Sequence, residues 1–416
     1  LLYQIQGIKE CAVVGQEDDR WGYIPVLYIV SELPEEIVRN YMEGKLAGYK
    51  VPKKDFIQKR APEKCIWKNC KEVTAGGTMR IQSVTLYHVD LPMRFAFRTA
   101  KETLKHRESI VLEVADESGQ TGYGEVVSFT SPFYTAETLD TFVEALKTNY
   151  IPQILDKDIT HPFEIHKILE RKYPMAIAGL ENALLDMYTK QRKENLIKSV
   201  FQENLKKEIG LGIVLGDLPV QELLQKIQGF YGQGCRRIKI KIKPEDGFEK
   251  MKQVTAYFPE IDFAIDANKS FPVSSIEEVI KFDELGLLCI EEPFAIDSLE
   301  EYRGLQTKIK TPICLDESIQ TMEELKRAVQ YEAFQVLNIK IGRVGGLFYA
   351  KQMIQYCRTQ GIKYWIGSMV ESGISKILHV QLAALTDTYM DGDLSDSRRY
   401  FDQDFIVPEI VFKMER

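Results

Sequence analysis

Five residues recur at nearly one interval through the second half of the chain: Lys241, Asp266, Glu291, Asp316 and Lys340, spaced 25, 25, 25 and 24 residues apart. Each ends a short apolar run: RIKIK, FAID, LLCIE, TPICLD and FQVLNIK. A strand, a helix and two loops take roughly that many residues, so the interval predicts one βα unit per step. Strand runs fall at 210–215, 237–242, 262–266, 287–291, 312–316, 334–340 and 363–367, with a weaker one at 388–392. Amphipathic helical stretches lie between them, as at 246–257, 274–285, 297–307 and 322–330. Eight units predict an α/β fold, a closed (β/α)8 barrel over 176–392. An open doubly wound sheet would not hold eight strands in so even a rhythm.

Upstream the pattern changes. RIQSVTLYHVDL and SIVLEVADESGQTGYGEV alternate with period two around the turn ESGQTG, and helical stretches follow at 135–149 and 161–171. Residues 79–175 therefore predict an α+β domain ahead of the barrel, and the strand-like alternation of 400–416 predicts that 393–416 returns to it. Residues 1–60 form a third compositional unit, and 61–78 read as a linker. A net charge of −7 without long basic runs argues against nucleic acid as a partner. No run approaches the roughly 20 apolar residues of a membrane helix, and no signal-peptide pattern opens the chain. The start, LLYQIQGIKE, has no initiator Met and reads as the interior of a folded domain, which points to a truncated end. Seven scattered cysteines predict reduced thiols, as in a cytoplasmic protein, rather than a disulfide framework.

The interval also predicts chemistry. Strand side chains alternate faces, so if Asp266, Glu291 and Asp316 point inward, Ala264, Cys289 and Cys314 form a small apolar layer beneath them. Polar inward residues are then confined to the C-terminal strand ends, where barrel enzymes hold their active sites. Three carboxylates packed so closely repel one another unless a cation lies among them, and oxygen-only ligands favour Mg²⁺, then Mn²⁺. Lys241 and Lys340 end the second and sixth strands, on opposite sides of the ring. Lys239 shares a face with Lys241, and their repulsion is expected to lower the pKa of Lys241 toward that of a useful base. The implied reaction removes a proton from the carbon next to a carboxylate of a small-molecule substrate. A lone acid at a strand end is often only a helix cap, and a KIKIK run can be a solvated edge strand. Five such residues in register speak against both.

The motifs RIKIKIKP, IDAN, IEEP, CLDESI, NIKIGRVGG and WIGSMVESG resemble the enolase superfamily over about 79–416. They resemble most its muconate-lactonizing subgroup, in the branch of o-succinylbenzoate synthases and N-acylamino acid racemases. The resemblance implies that Asp266, Glu291 and Asp316 hold Mg²⁺, that Lys241 and Lys340 are the acid/base pair, and that Asn268 and Glu317 support them. Ser368 to Gly373, including Glu371, would lie near the substrate, and Lys239 would assist. The α+β domain would cap the barrel mouth, closing loops 94–99 and 128–134 over it. Dehydration to an aromatic succinylbenzoate and racemization of N-acylamino acids both remain open, as does a homo-oligomer. An Asp-Gly-Asp at Asp391 and Asp393 raises dipeptide epimerization as a weaker third activity.

Residues 1–60 resemble the small C-terminal domain of adenylate-forming acyl-CoA ligases: GIKECAVVGQEDDRWGYIPVLYIV, then LAGYKVPKKDFI. That family should continue into LPKNASGKI, where this chain reads APEKCIWKNC. One permitted codon choice, GCT CCC GAA AAA TGC ATC TGG AAA AAT TGT, contains LPKNASGKI one base later. We therefore expect a ligase-gene remnant joined by a single-base frameshift to the next gene, whose native start would be Met79. Without an active barrel, an acyl-CoA-binding module built on this remnant would be the non-enzymatic alternative.

Overall fold

The computed structural model describes residues 8–18, 22–31, 40, 54–57, 78–98, 102–294 and 299–412. The chain forms two compact units, Leu1–Glu72 and Val73–Arg416. In the first, β1 (Ile8–Asp18) and β2 (Gly22–Ser31) make an antiparallel hairpin with Val14 opposite Val26, and β3 (Lys54–Ile57) joins β2 in parallel. Apart from Thr78, the expected linker and its out-of-frame decapeptide lie outside the described residues.

The second unit opens with the expected meander of β4 (Met79–Arg98), β5 (Thr103–Asp116) and β6 (Thr121–Val126). The short β7 (Asp158–Ile159) completes a sheet of order β6-β5-β4-β7. The β5–β6 turn holds because Asp116 Oδ1 accepts from the Ser118 and Gln120 amides and Gly119 takes φ +81°. The helix Pro174–Arg192 lies directly on β6. A Cβ at Gly124 would stand 2.0 Å from the Gly179 carbonyl oxygen, and one at Gly122 would stand 2.1 Å from that of Ala183. Met175, Ala176, Ile177, Leu180, Ala183, Leu184 and Met187 of this helix enter the α+β core, while Leu185 enters the barrel core, so the α+β core extends past residue 175 into the helix. The helix is apolar over most of its surface, and its hydrophobic spacing alone does not say which neighbour claims it.

Seven parallel strands follow: β8 (Gly212–Leu215), β9 (Arg237–Lys241), β10 (Asp262–Asp266), β11 (Ile290–Glu291), β12 (Ile313–Leu315), β13 (Val336–Ile339) and β14 (Lys363–Ile366). They pair in chain order, each strand beside the next. This is the expected βα rhythm. The eighth position is filled differently from the expected strand at 388–392. Residues 389–394 run irregularly from β14 to β8: Tyr389 N donates to Tyr364 O at 2.8 Å, Asp393 N to Ile366 O at 3.2 Å and Gly212 N to Leu394 O at 3.2 Å. The crossing is too tight for a regular pleat, since a Cβ on Gly392 would meet Ile366 O at 2.4 Å. The segment 400–412 likewise returns to the cap through one bridge, Met93 opposite Phe401, rather than as a strand, and 413–416 lie outside the described residues.

Ala264, Cys289 and Cys314 do form the inner layer, with Val336, Trp365 and Met390. Trp365 is fully buried and its Nε1 donates to Cys314 Sγ at 3.4 Å. This plug closes the barrel below the strand ends, while Ile238, Ile240, Phe263 and Ile265 face outward into the main core shared with the helices. Cys235, Cys289, Cys314 and Cys357 are buried free thiols. Among the described residues no helix is long and apolar enough to cross a membrane. The close approach at β6 leads to a stability prediction. Gly124→Ala should lower unfolding free energy by about 1–3 kcal/mol or more in urea titration, because backbone rather than a flexible side chain must move.

Candidate active site

Strand register brings the spaced residues together. Asp266 is level with Lys241 across β9 and β10, and with Glu291 across β10 and β11. Glu291 is level with Cys314, so Asp316 lies two residues further along and on the same face. All three carboxylates are buried, at 2%, 0% and 0% exposure for Asp266, Glu291 and Asp316.

Each is met by an ammonium. Lys241 Nζ stands 2.7 Å from Asp266 Oδ2 and 2.6 Å from Asn268 Oδ1. Lys340 Nζ stands 2.7 Å from Asp316 Oδ2, whose other oxygen accepts from Arg343. Lys239 Nζ lies 3.0 Å from Glu291, 2.6 Å from Asp393 and 3.9 Å from Asp266. Asn268 Nδ2 donates to Glu317 Oε1 at 2.8 Å, which ties the two expected supports to each other. Lys241 and Lys340 thus end strands separated by three others, as expected.

The electrostatics follow from burial and crowding. Burial pushes the Glu291 carboxyl well above the usual range; Lys239 pulls it back, while Asp266 and Asp316 add to the push. Burial and then the charges of Asp316, Glu292 and Asp266 raise Glu317 to about 7. For Lys340 and Lys239 burial disfavours the charge, but Asp316 in the first case and Asp393 with Glu291 in the second outweigh it, and both stay above the ordinary lysine range.

These groups suit a hard cation. The donors are oxygens only, and Glu317 Oε2 and Asn338 Oδ1 are buried acceptors without a hydrogen-bond partner. Lys239 already places one positive charge between Glu291 and Asp266. Among the described residues no three acidic, His or Cys side chains converge as a finished coordination set, because each carboxylate is turned to its lysine or arginine.

An open cavity lies over the cluster. Its floor includes Lys239, Lys241, Asp266, Asn268, Glu317 and Lys340. Its roof includes Phe97, where the first expected loop is instead the end of strand β4 up to Arg98, and Phe129, Phe133 and Tyr134 from the second expected loop; Thr99 lies outside the described residues. Ser368, Met369 and Val370 after β14 form a side wall. Glu371 does not reach the cavity. It lies behind that wall, accepting from Ser368 Oγ at 3.0 Å, from Met369 N at 2.6 Å and from His379 Nδ1 at 3.0 Å.

Three participants were not singled out from sequence, and a fourth was noticed for another reason. Tyr134 OH accepts from Lys340 at 3.0 Å and Arg343 at 2.7 Å, and nothing local marks it. Arg343 stands one helical turn after Lys340 within NIKIGRVGG. Asn338 donates to Glu291 Oε1 at 3.0 Å, and strand alternation with Val336 and Lys340 could have found it. Asp393 noticed only as half of Asp-Gly-Asp is committed to Arg237 at 2.5 Å and Lys239 at 2.6 Å, while Asp391 accepts from Gly210 N at 3.0 Å.

Glu371 makes this wall pH-dependent. Burial opposes its charge, but His379 and Lys376 hold its pKa at about 2, below the unfolded value. Its stabilising effect is therefore complete above the ordinary glutamate range and lost as pH falls toward 2. In urea titrations the advantage of wild type over Glu371→Gln should be full at pH 6 and shrink steadily between pH 4.5 and 2.5.

Residues 81–199 match the N-terminal domain model of mandelate racemase and muconate lactonizing enzyme, and 222–415 match the enolase C-terminal domain-like model. Residues 1–64 match the C-terminal domain of AMP-binding enzymes. The o-succinylbenzoate synthase of Bacillus subtilis is 36% identical over 334 residues, covering 80% of this chain and 90% of that protein. The N-succinylamino acid racemase of Thermus thermophilus is 32% identical, covering 79% and 89%. A solved enolase-superfamily structure from Enterococcus faecalis superposes with a TM-score of 0.76 at 32% identity, covering 81% of this chain and 92% of that one.

Proposed function

Because this chain belongs to the enolase superfamily, we propose that it is a Mg²⁺-dependent o-succinylbenzoate synthase acting in menaquinone synthesis. The observation that carries the proposal is the placement of Lys241 and Lys340 on opposite sides of the Asp266, Glu291 and Asp316 cluster, at the barrel strand ends of a chain 36% identical over 334 residues to such a synthase. Family membership implies a divalent cation, and the oxygen-only donor set supports Mg²⁺ in particular. Held by Asp266, Glu291 and Asp316, it would supply positive charge for the substrate carboxylate and so acidify the adjacent carbon.

Lys241 takes the proton from that carbon. Asn268 fixes the position of its Nζ through Oδ1 and is itself fixed by Glu317. On the same face, Lys241 returns the proton to the departing hydroxyl, which leaves as water. Carbon–hydrogen and carbon–oxygen bonds break, a ring double bond forms, and no redox partner is needed. Lys340, donating to both Asp316 and Tyr134, stands as a fixed cation on the opposite face, where it balances charge developing on the substrate. The roof of Phe97, Phe129 and Phe133 keeps water from the reacting carbon.

N-succinylamino acid racemization is the second reading. It is favoured by the symmetry of the two lysines and by the 32% identical racemase. Dipeptide epimerization is disfavoured, because Asp393 is paired with Arg237 and Lys239, and Asp391, which accepts from the Gly210 amide, is not among the residues lining the cavity. The upstream segment supports the synthase. A fragment similar to an acyl-CoA ligase suggests a neighbouring gene whose enzyme activates the carboxylic acid this one makes. We read 61–70 as the out-of-frame remnant of that ligase; a gene without LPKNASGKI in the +1 frame would refute this.

With Mg²⁺, the protein should aromatise the cyclohexadiene carboxylate substrate, loss of the conjugated diene's ultraviolet band reporting turnover. Lys241→Ala and Lys340→Ala should each lose at least about 10³-fold in kcat without a change in circular dichroism, and chelation should abolish activity until Mg²⁺ is restored. Full activity in Lys241→Ala would refute the mechanism. Parallel assay on N-succinyl amino acids ranks the two readings by kcat/KM.

A further inference from the structure

The side wall of the cavity is shaped by the cap as well as by the barrel. Glu125 ends β6 in the cap, yet its carboxylate is buried at the start of the barrel helix Gly373–Ala383. Its Oε2 accepts from Ser372 Oγ at 2.7 Å and from the Ser375 amide at 3.4 Å; its Oε1 accepts from the Ser372 amide at 3.2 Å. Ser109 Oγ, on the adjacent cap strand, donates to Oε1 at 3.1 Å. A carboxylate here meets free amides and the positive end of the helix, so the contact is favourable and directional.

Ser372 is also the N-cap of that helix, its Oγ accepting from Ile374 N at 3.3 Å. The preceding residue, Glu371, fixes Ser368 and Met369 as described above. Val370, between them, sits at φ +57°, strained for a β-branched residue, so this loop keeps its shape only while its ends are held. Its inner end is held within the barrel by Glu371 and His379. Its outer end is held by Glu125 and, through the Gly373 amide at 2.8 Å, by Asp404.

We infer that Glu125 is a positioning residue: docking of the cap through its carboxylate sets the Ser368–Val370 wall of the substrate cavity. The cap therefore does more than cover the mouth. It also holds a barrel loop, through a residue that is not one of its roof residues. Lys241 and Lys340 lie on strands outside this chain of bonds and do not depend on it. Loss of Glu125 consequently weakens substrate binding more than turnover.

The inference concerns the wall of the cavity proposed above as the synthase site. The full-length protein with Mg²⁺ is compared with Glu125→Gln and Ser372→Ala, the second leaving the cap carboxylate in place. We expect deuterium exchange of the peptide covering 367–373 to quicken about tenfold in both variants, and KM to rise about tenfold with kcat changed less than about threefold, the scale of one charge-assisted hydrogen bond. The double variant should add little to either single one. Glu125→Asp should restore part of the affinity. A lowered melting temperature with unchanged exchange and unchanged KM in Ser372→Ala would overturn the inference, leaving Glu125 a stability element only. If the wild type does not turn over the synthase substrate, the proposed function fails, while the exchange comparison still decides for or against Glu125.

Discussion

Charge balance among buried carboxylates is the constraint on which the rest depends. Asp266, Glu291 and Asp316 end three neighbouring parallel strands with almost no solvent contact. Removing ions from water is costly, and like charges at this spacing add to the cost. The protein offsets it with Lys239, Lys241, Lys340 and Arg343 rather than by separating the acids. The same arrangement that neutralises the cluster sets a lysine ammonium on either side of it.

That cluster needs a rigid floor and a dry roof. The floor is the plug of Ala264, Cys289, Cys314, Val336 and Trp365, which fixes the strand ends from below. The roof belongs to the cap, whose Tyr134 reaches Lys340 and Arg343 across more than two hundred residues of sequence. The two bodies are joined by polar bonds at several buried points, among them Glu125 at Ser372 and Glu181 at the Leu347 amide. Buried charge-assisted bonds are directional, so docking of this kind specifies a position and not merely an affinity.

Much of the active site was legible because barrels repeat. One strand end per 25 residues gives the level of each side chain, and period-two alternation gives its face, which together located Asp266, Glu291, Asp316, Lys241 and Lys340 and the layer under them. Where the rhythm weakens, expectation failed. The eighth barrel position carries Asp391-Gly392-Asp393, whose side chains and close backbone contact replace a strand, and the helix Pro174–Arg192 went to the cap core because its apolar surface suits either neighbour. Asn338 obeyed the alternation and was recoverable; Tyr134 lay in an irregular loop, where no period relates residue to direction.

The sequence by itself determined the strand rhythm of the barrel and the five charged residues at its mouth, since local spacing and strand geometry suffice to order them, and its motifs carried the family resemblance. Only the tertiary structure decided how those charges pair, that Asp393 and Arg343 join them, that the ring closes through an irregular segment, and that a cap glutamate holds a barrel loop. Such pairings depend on distances between elements far apart in the chain. They are set by packing, which periodicity along the chain does not encode.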